Sequence, residues 1–195
     1  MSGSENTESS DTDDAGREIR ELHEGGKIHM APRRRLRSIE DLRKLYTPGV
    51  AEVSELIEKN PDEYYRYTSA GNTVAVLTNG TAVLGLGDVG VRAAMPVMEG
   101  KGLILMEMVG VSTVPVLVDS HDPDEIVSTA RRIAPTFGGI LLEDIAAPAC
   151  FEVEDSLREE ADIPVFHDDQ HGTAVVTVAA LASALEMTDR EPGDI

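Results

Sequence analysis

The feature that most constrains the fold is a repeated alternation of apolar strands and helices along the C-terminal half of the chain. Three runs rich in aliphatic and β-branched residues lie at 114–120, 138–144 and 163–169. Each run is followed by a segment with helical apolar spacing, and Asp122 is placed to cap the first of these helices. Strands that alternate with helices predict a parallel sheet covered on both faces. The expected fold class is therefore α/β, a three-layer domain with a mostly parallel sheet.

A helical segment and a hairpin are predicted to precede this sheet. The motif at 38–41, Ser-Ile-Glu-Asp, is a capping box that starts a helix, and residues 50–59 have helical spacing of apolar side chains. The β-branched runs at 74–78 and 81–84 are separated by Asn79-Gly80, which is typical of a β-hairpin.

The N-terminal segment differs in composition from the rest. Residues 1–26 contain eight acidic and two basic residues, with few apolar ones, which predicts a disordered acidic tail before a folded domain over 27–195. No apolar run reaches the roughly 18 residues of a membrane span, and no secretory signal is evident. The single Cys150 cannot form an internal disulfide, so a cytoplasmic location is expected.

The net charge of −19 excludes nucleic acid as an expected partner, because phosphate repels such a surface. The basic residues are thirteen arginines and only four lysines. An acidic, lysine-poor composition favours a halophilic protein, since molar salt shortens the screening length to roughly 3 Å and mutes self-repulsion. The alternative is an ordinary acidic protein with an acidic tail.

Acidic residues end all three predicted strands. They are Asp119, the pair Glu143-Asp144 and the pair Asp168-Asp169. Ligands of open parallel sheets bind beyond the carboxyl ends of the strands. Helix caps explain one acid at each end, whereas adjacent pairs favour a hard divalent cation such as Mg²⁺ or Mn²⁺. From spacing alone, caps with solvated loops and a metal site are equally good interpretations.

Two other patterns give weaker indications of a cofactor. His167 and His171 flank one acidic pair, but a single cysteine and scattered histidines do not form the dense ligand cluster of a zinc site. Residues 85–90 match the G-x-G-x-x-G fingerprint of dinucleotide-binding proteins. Pro96 and two further glycines fall where the crossover helix should run, so no cofactor-binding residue is assigned to this loop.

Lys101 and Tyr46 are candidate catalytic residues. Arginine can replace lysine in an electrostatic role but not as a general base near neutral pH. Lys101 lies in the apolar stretch PVMEGKGLILM, which predicts a lowered pKa. Tyr46 precedes a Pro-Gly turn that could hold its phenol at a site, although a buried structural tyrosine is the commoner role of such a residue.

Five separated motifs carry a family resemblance. They are LYTPGVA (45–51), NGTAVLGLGDVG (79–90), MPVMEGKG (95–102), PTFGGILLEDIAAP (135–148) and IPVFHDDQHGTAVV (163–176). In this order they resemble malic enzyme of the small prokaryotic type, almost continuously from Gly26 to the C-terminus. The resemblance implies oxidative decarboxylation of L-malate to pyruvate and CO₂, with NAD or NADP and with Mg²⁺ or Mn²⁺.

The resemblance also implies residue roles. Tyr46 matches the tyrosine that protonates enolpyruvate, and Lys101 matches the lysine that deprotonates the C2 hydroxyl. Asp168 matches the acid that supports the lysine and the tyrosine. The carboxylates that match the metal ligands are Glu143, Asp144 and Asp169.

The resemblance covers only the part of the family that binds metal and malate. Family members continue into a Rossmann domain for NAD(P), which is expected to be absent from this chain. A homodimer or a Rossmann-domain partner would complete the enzyme. The alternative is a non-catalytic module that binds a metal and a dicarboxylate or pairs with a full-length subunit.

Overall fold

The structure, a computed structural model, describes residues 8–194. Eight α-helices and four β-strands are found in this range. In chain order they are α1 (Glu8–His23), α2 (Ile39–Leu45), α3 (Val50–Lys59), α4 (Tyr64–Tyr67), β1 (Thr73–Thr78), α5 (Val91–Ile104), β2 (Ser112–Leu117), α6 (Pro123–Ile133), β3 (Gly139–Leu142), α7 (Ala149–Glu160), β4 (Val165–His167) and α8 (Thr173–Thr188). Short π-helical turns at Leu105–Val109 and Asp168–Gly172 follow α5 and β4.

The four strands form one parallel sheet in the order β2-β1-β3-β4. In β1, Ala75 aligns with Val114 of β2 on one side and with Ile140 of β3 on the other. In β3, Leu142 aligns with His167 of β4. The predicted α/β class with a parallel sheet is confirmed.

Helices cover both faces of the sheet. Alternate residues of a strand point to opposite faces, and Ala75 and Leu77 belong to the main apolar core, which α6 and α7 complete with Ile126 and Val153. Val76, between them, points to the other face, where α5 contacts β1 and β2. This is the three-layer arrangement that the strand and helix pattern predicts.

Local capping signals define the helices as the sequence predicts. The Ser38 side chain accepts a hydrogen bond from the Asp41 backbone N–H at 3.0 Å and starts α2. The Asp122 side chain accepts from the Asp124 N–H at 3.0 Å and starts α6. Each cap gives a partner to one of the N–H groups that a helix N-terminus leaves free.

The predicted hairpin at 74–84 is wrong. β1 pairs with β2 and β3, both parallel, so both of its edges are occupied by other strands. Residues 81–84 form no strand, and Val83 makes only an isolated antiparallel bridge to Gly87. Asn79-Gly80 does turn the chain, but it leads the chain out of the sheet and not into a second antiparallel strand.

The expectation that Pro96 prevents a helix after the glycine-rich loop is also wrong. Helix α5 runs through Pro96 and connects β1 to β2. The Pro96 carbonyl accepts a hydrogen bond from Lys27 Nζ at 2.6 Å, which ties α5 to the segment that follows α1. Gly102 allows close packing on the sheet, since a Cβ there would lie 2.5 Å from Thr113 Oγ1 of β2. Tertiary contacts therefore override the local helix-breaking signals.

Helix α1 lies within residues 1–26, for which the composition predicts a disordered acidic tail, and that expectation stays a prediction. Helix α1 carries ion pairs from Arg17 to Asp14 and to Glu21, at 3.2 and 3.8 Å. The segment after it is anchored to α5, because the Lys27 N–H donates to Glu99 at 3.0 Å. Residues 1–7 lie outside the described residues.

Helix α8 is expected from its apolar sequence to be packed on several sides, but it contains no buried residue. Val175, Val176 and Val178 are each about two-thirds exposed. In the part of the chain that the structure describes, nothing covers this apolar surface. The described residues also contain no helix that is long and apolar enough to cross a membrane.

Candidate active site

The acidic pairs meet where the order in which strands are added to the sheet reverses. From β1 the chain leads through α5 to β2 and then returns across the sheet to β3, so the carboxyl ends of β1 and β3 border a crevice. Glu143 and Asp144 follow β3, while Asp168 and Asp169 follow β4. All four line a cavity of about 560 Å³ with Lys101 of α5. Asp119, after the edge strand β2, is exposed and does not line this cavity.

Lys101 lies between two carboxylates from different strands. Its Nζ is 2.6 Å from Asp168 Oδ2 and 3.0 Å from Glu143 Oε1. Burial by itself favours the neutral amine, but the hydrogen bonds to Asp168 and Glu143 outweigh it and raise the pKa of Lys101. The predicted lowering of this pKa is wrong, because the apolar neighbours in sequence are not the groups that the fold brings to the ammonium.

Three carboxylates cluster beside this ion pair. Glu143, Asp144 and Asp169 each offer an oxygen within 4.8 Å of the others. Burial, opposed by Lys101, raises the pKa of Glu143 to about 7. Burial and the neighbouring Asp169 raise the pKa of Asp144 to about 6. Three carboxylates held so close destabilise one another unless a cation lies among them.

Two buried oxygens of this cluster have no hydrogen-bond partner. They are Oε2 of Glu143 and Oδ2 of Asp144. Buried polar atoms are almost always paired, and each exception requires an explanation. A hard divalent cation takes several carboxylate oxygens and would satisfy both atoms, so the donor set fits Mg²⁺ or Mn²⁺.

The backbone at Asp144 is held in an unusual conformation. Its φ of 54° lies in the left-handed region, which costs a residue with a side chain roughly 1–2 kcal/mol. The Asp144 N–H donates to Asp169 Oδ2 at 2.8 Å, and its carbonyl accepts from the Ala82 N–H at 3.0 Å. The loops after β1, β3 and β4 are thus joined at this residue, which fixes the relative positions of the clustered carboxylates.

A family model described as "Malic enzyme, N-terminal domain" matches residues 25–158, more than half of the chain. This chain belongs to the malic enzyme family. The NAD-dependent malic enzyme 1 of Bacillus subtilis is 55% identical over 167 residues, which cover 86% of this chain and 38% of the relative. The NADP-dependent malic enzyme of Haemophilus influenzae is 49% identical over 170 residues, or 87% of this chain and 22% of the relative.

Solved malic enzyme structures have the same fold. The malic enzyme of Pyrococcus horikoshii superimposes with a TM-score of 0.89 at 45% identity, over 93% of this chain and 43% of that one. The NAD-dependent malic enzyme of Thermotoga maritima gives 0.85 at 44% identity, over 89% and 49% of the two chains. The chain spans less than half the length of the relatives named here and matches the N-terminal domain of the family.

The structure does not bring Tyr46 to the cavity of this malic enzyme domain. Tyr46 ends α2, its side chain is 65% exposed, and it is absent from the described residues that line the cavity. Two side chains that sequence reasoning missed, His23 and Lys27, do line it. Their Nε2 and Nζ atoms lie 2.9 Å apart. The rarity of lysine in the chain was the one signal for Lys27.

The histidines near the second acidic pair have other partners. His171 Nε2 lies 2.9 Å from the carboxylate of Glu154, and the buried His167 accepts from the Gln170 N–H through Nδ1. Among the described residues, neither belongs to the group that could share a metal ion. Their arrangement does not support zinc. Glu154 is a further residue that the sequence pattern did not single out.

Proposed function

We propose that this chain forms the metal- and malate-binding part of a malic enzyme. Completed by an NAD- or NADP-binding domain, it would catalyse oxidative decarboxylation of L-malate to pyruvate and CO₂. The observation that carries the proposal is the position of Lys101, which contacts Asp168 and lies beside three clustered carboxylates at the carboxyl edge of the sheet. A base beside a divalent-cation site is what removal of a proton from a 2-hydroxy acid requires.

The proposed metal ligands are Glu143, Asp144 and Asp169. Their geometry supports a divalent cation through the short distances between oxygens and through the two buried oxygens without partners. When bound, Mg²⁺ or Mn²⁺ would polarise the C2 oxygen of malate and stabilise the negative charge left after loss of CO₂.

We assign Lys101 as the base for the C2 hydroxyl. The amine accepts a proton only when it is neutral, and Asp168 accepts a hydrogen bond from its Nζ at 2.6 Å. Asp168 also orients Nζ toward the cavity. Because the pKa of Lys101 is raised, the rate of the proton-transfer step is expected to increase with pH.

Tyr46 is the proposed acid that protonates the enolate. Its position outside the cavity means that the segment of α2 must move, or that the tyrosine of a second copy must enter. A homodimer is therefore part of the proposal, and so is a Rossmann-domain partner for the nicotinamide. The cytoplasmic location and the adaptation to high salt remain sequence-based proposals.

Isothermal titration with Mn²⁺ tests the metal site. We expect saturable binding, tighter for Mn²⁺ than for Mg²⁺. Asp169→Ala should abolish it, while the matched loss of an exposed acid, Asp155→Ala, should leave it unchanged. Equal Mn²⁺ uptake by the wild type and Asp169→Ala would remove the assignment.

Two assays separate the enzymatic proposal from the non-catalytic module. The 195-residue chain alone should not reduce NAD or NADP with malate, because hydride transfer requires a positioned nicotinamide. It should decarboxylate oxaloacetate weakly with Mn²⁺, faster than free Mn²⁺ does, and Asp169→Ala should lower this rate. Metal binding without any decarboxylation would favour the non-catalytic module.

Robust malate oxidation by the chain alone would indicate that the glycine-rich loop at 85–90 binds the nucleotide. The loop does lead into α5 through Gly90, whose φ is 76°. Titration with NADH, followed by its fluorescence, gives an independent measurement of that possibility.

A further inference from the structure

Glu154 on α7 is a buried carboxylate that lies outside the clustered metal ligands. Its side chain is only 4% exposed. It accepts a hydrogen bond from the His167 backbone N–H at 3.2 Å and lies 2.9 Å from His171 Nε2. Burial of a carboxylate costs free energy unless the group has hydrogen-bond partners, and these two contacts supply them.

The two partners of Glu154 bracket the turn that carries the acidic pair. His167 is the last residue of β4, and His171 is the fourth residue of the π-helical turn after it. Between them, Asp168 contacts Lys101 and Asp169 contacts the Asp144 N–H. One carboxylate therefore holds the turn on both sides of the residues that point into the cavity.

The ends of the turn are also linked to each other. The Gln170 N–H donates to His167 Nδ1 at 3.3 Å, and the ring of His171 lies 5.6 Å from that of Phe166. These contacts are local to the turn, whereas Glu154 connects it to the rigid helix α7, which packs in the apolar core through Val153 and Leu157.

We infer that Glu154 is a positioning residue, which fixes the 167–171 turn against α7 so that Asp168 and Asp169 keep their places at Lys101 and Asp144. The inference rests on the proposed function for its consequence, the affinity for metal. It predicts that the turn is ordered before any ligand binds. Partners that orient metal ligands in this way typically change affinity 10–100-fold when removed.

The test uses two independent measurements on the full chain. In EDTA, hydrogen exchange of the amides at 168–171 reports the order of the turn without metal. Titration with Mn²⁺ alone reports affinity. Glu154→Ala should speed exchange of the Gln170 amide and weaken Mn²⁺ binding by about 10–100-fold. Glu154→Gln keeps an acceptor for the His167 N–H and should weaken binding only about 3–10-fold, because the loss of one contact of two corresponds to about half of the free energy.

Two controls separate positioning from general destabilisation. Val153→Ala removes core packing from the adjacent position of α7 and should lower stability while leaving Mn²⁺ affinity unchanged. Glu152→Gln removes a charge from an exposed position of the same helix and should change neither measurement. If Glu154→Ala does not fold, the Mn²⁺ affinities of Glu154→Gln and Val153→Ala are compared. A larger loss of affinity in Glu154→Gln supports the positioning role, and an equal or smaller loss contradicts it.

The outcomes are distinguishable from failure of the proposed function. Unchanged exchange and unchanged Mn²⁺ affinity in the Glu154 variants would overturn the inference. Loss of affinity in Val153→Ala as large as in Glu154→Ala would also overturn it. If wild type binds no Mn²⁺ specifically but Glu154→Ala still speeds exchange at 168–171, the metal proposal fails and the positioning role stands.

Discussion

Replacement of Glu143 by glutamine is expected to stabilise the metal-free protein while it abolishes metal binding. Glu143 is 5% exposed, and one of its oxygens has no hydrogen-bond partner. Glutamine has nearly the same shape and keeps an oxygen that can accept from Lys101 Nζ. It removes the charge that burial and the neighbouring acids disfavour.

The size of the effect follows from the pKa of this carboxyl. Folding raises the pKa from 4.5 to about 7, mainly by burial. Because the folded-state value is the higher one, stability from Glu143 is fully present below pH 4.5 and is lost as pH rises through 7. Glu143→Gln should therefore gain about 1 kcal/mol over wild type at about pH 5 and about 3 kcal/mol at about pH 8.

Urea unfolding followed by circular dichroism measures this difference. EDTA keeps metal out, and about 2 M KCl suppresses the long-range repulsion that would otherwise obscure a local charge. Glu152→Gln, at an exposed position of α7, controls for loss of one negative charge and should show little change. Added Mn²⁺ should stabilise the wild type but not Glu143→Gln. A Glu143→Gln protein that is less stable than wild type at about pH 8, or a difference independent of pH, would refute the reasoning.

Other expected outcomes concern salt and the loop after β1. The chain should unfold at about 0.05 M KCl and fold cooperatively at about 2 M, as measured by circular dichroism; a fully folded signal unchanged between the two would reject halophilic adaptation. Gly80→Ala should destabilise by about 3 kcal/mol in urea unfolding, because φ is 68° and a Cβ would lie 2.8 Å from the Gly90 backbone. Gly85→Ala, with φ of 78° but nothing within 4 Å of the Cβ, should cost only about 1 kcal/mol; equal losses would show that the contact with Gly90 is unimportant.

Signals that act over a few residues were sufficient to predict much of the fold. The caps at Ser38 and Asp122 depend on hydrogen bonds to residues two or three positions away, so the sequence contains them in full. The acids at the ends of β3 and β4 lie at one edge because parallel strands share that edge. The resemblance to malic enzyme implied roles for individual residues, which spacing alone left open and which stay predictions.

The wrong predictions involve partners that are distant in sequence. Whether Asn79-Gly80 closes a hairpin depends on which strands pair with β1. Helix α5 runs through Pro96 while it packs on β1 and β2, strands that contact it only in the folded chain. The pKa of Lys101 is set by carboxylates 42 and 67 residues away, as the numbering of Glu143 and Asp168 shows. Glu154 gave no local pattern at all.

The exposed apolar residues of helix α8 affect whether copies of this chain associate with one another in solution. Its valines present an uncovered apolar strip, while the rest of the surface has a strong excess of negative charge. In dilute buffer that charge keeps copies apart, but at about 1 M salt repulsion acts over only about 3 Å. If the proposed adaptation to high salt holds, the salt that favours the folded chain also removes the electrostatic barrier to self-association through α8. Higher ionic strength should therefore increase folding stability and also promote aggregation. A polar substitution such as Val176→Gln should reduce aggregation at high salt without lowering folding stability.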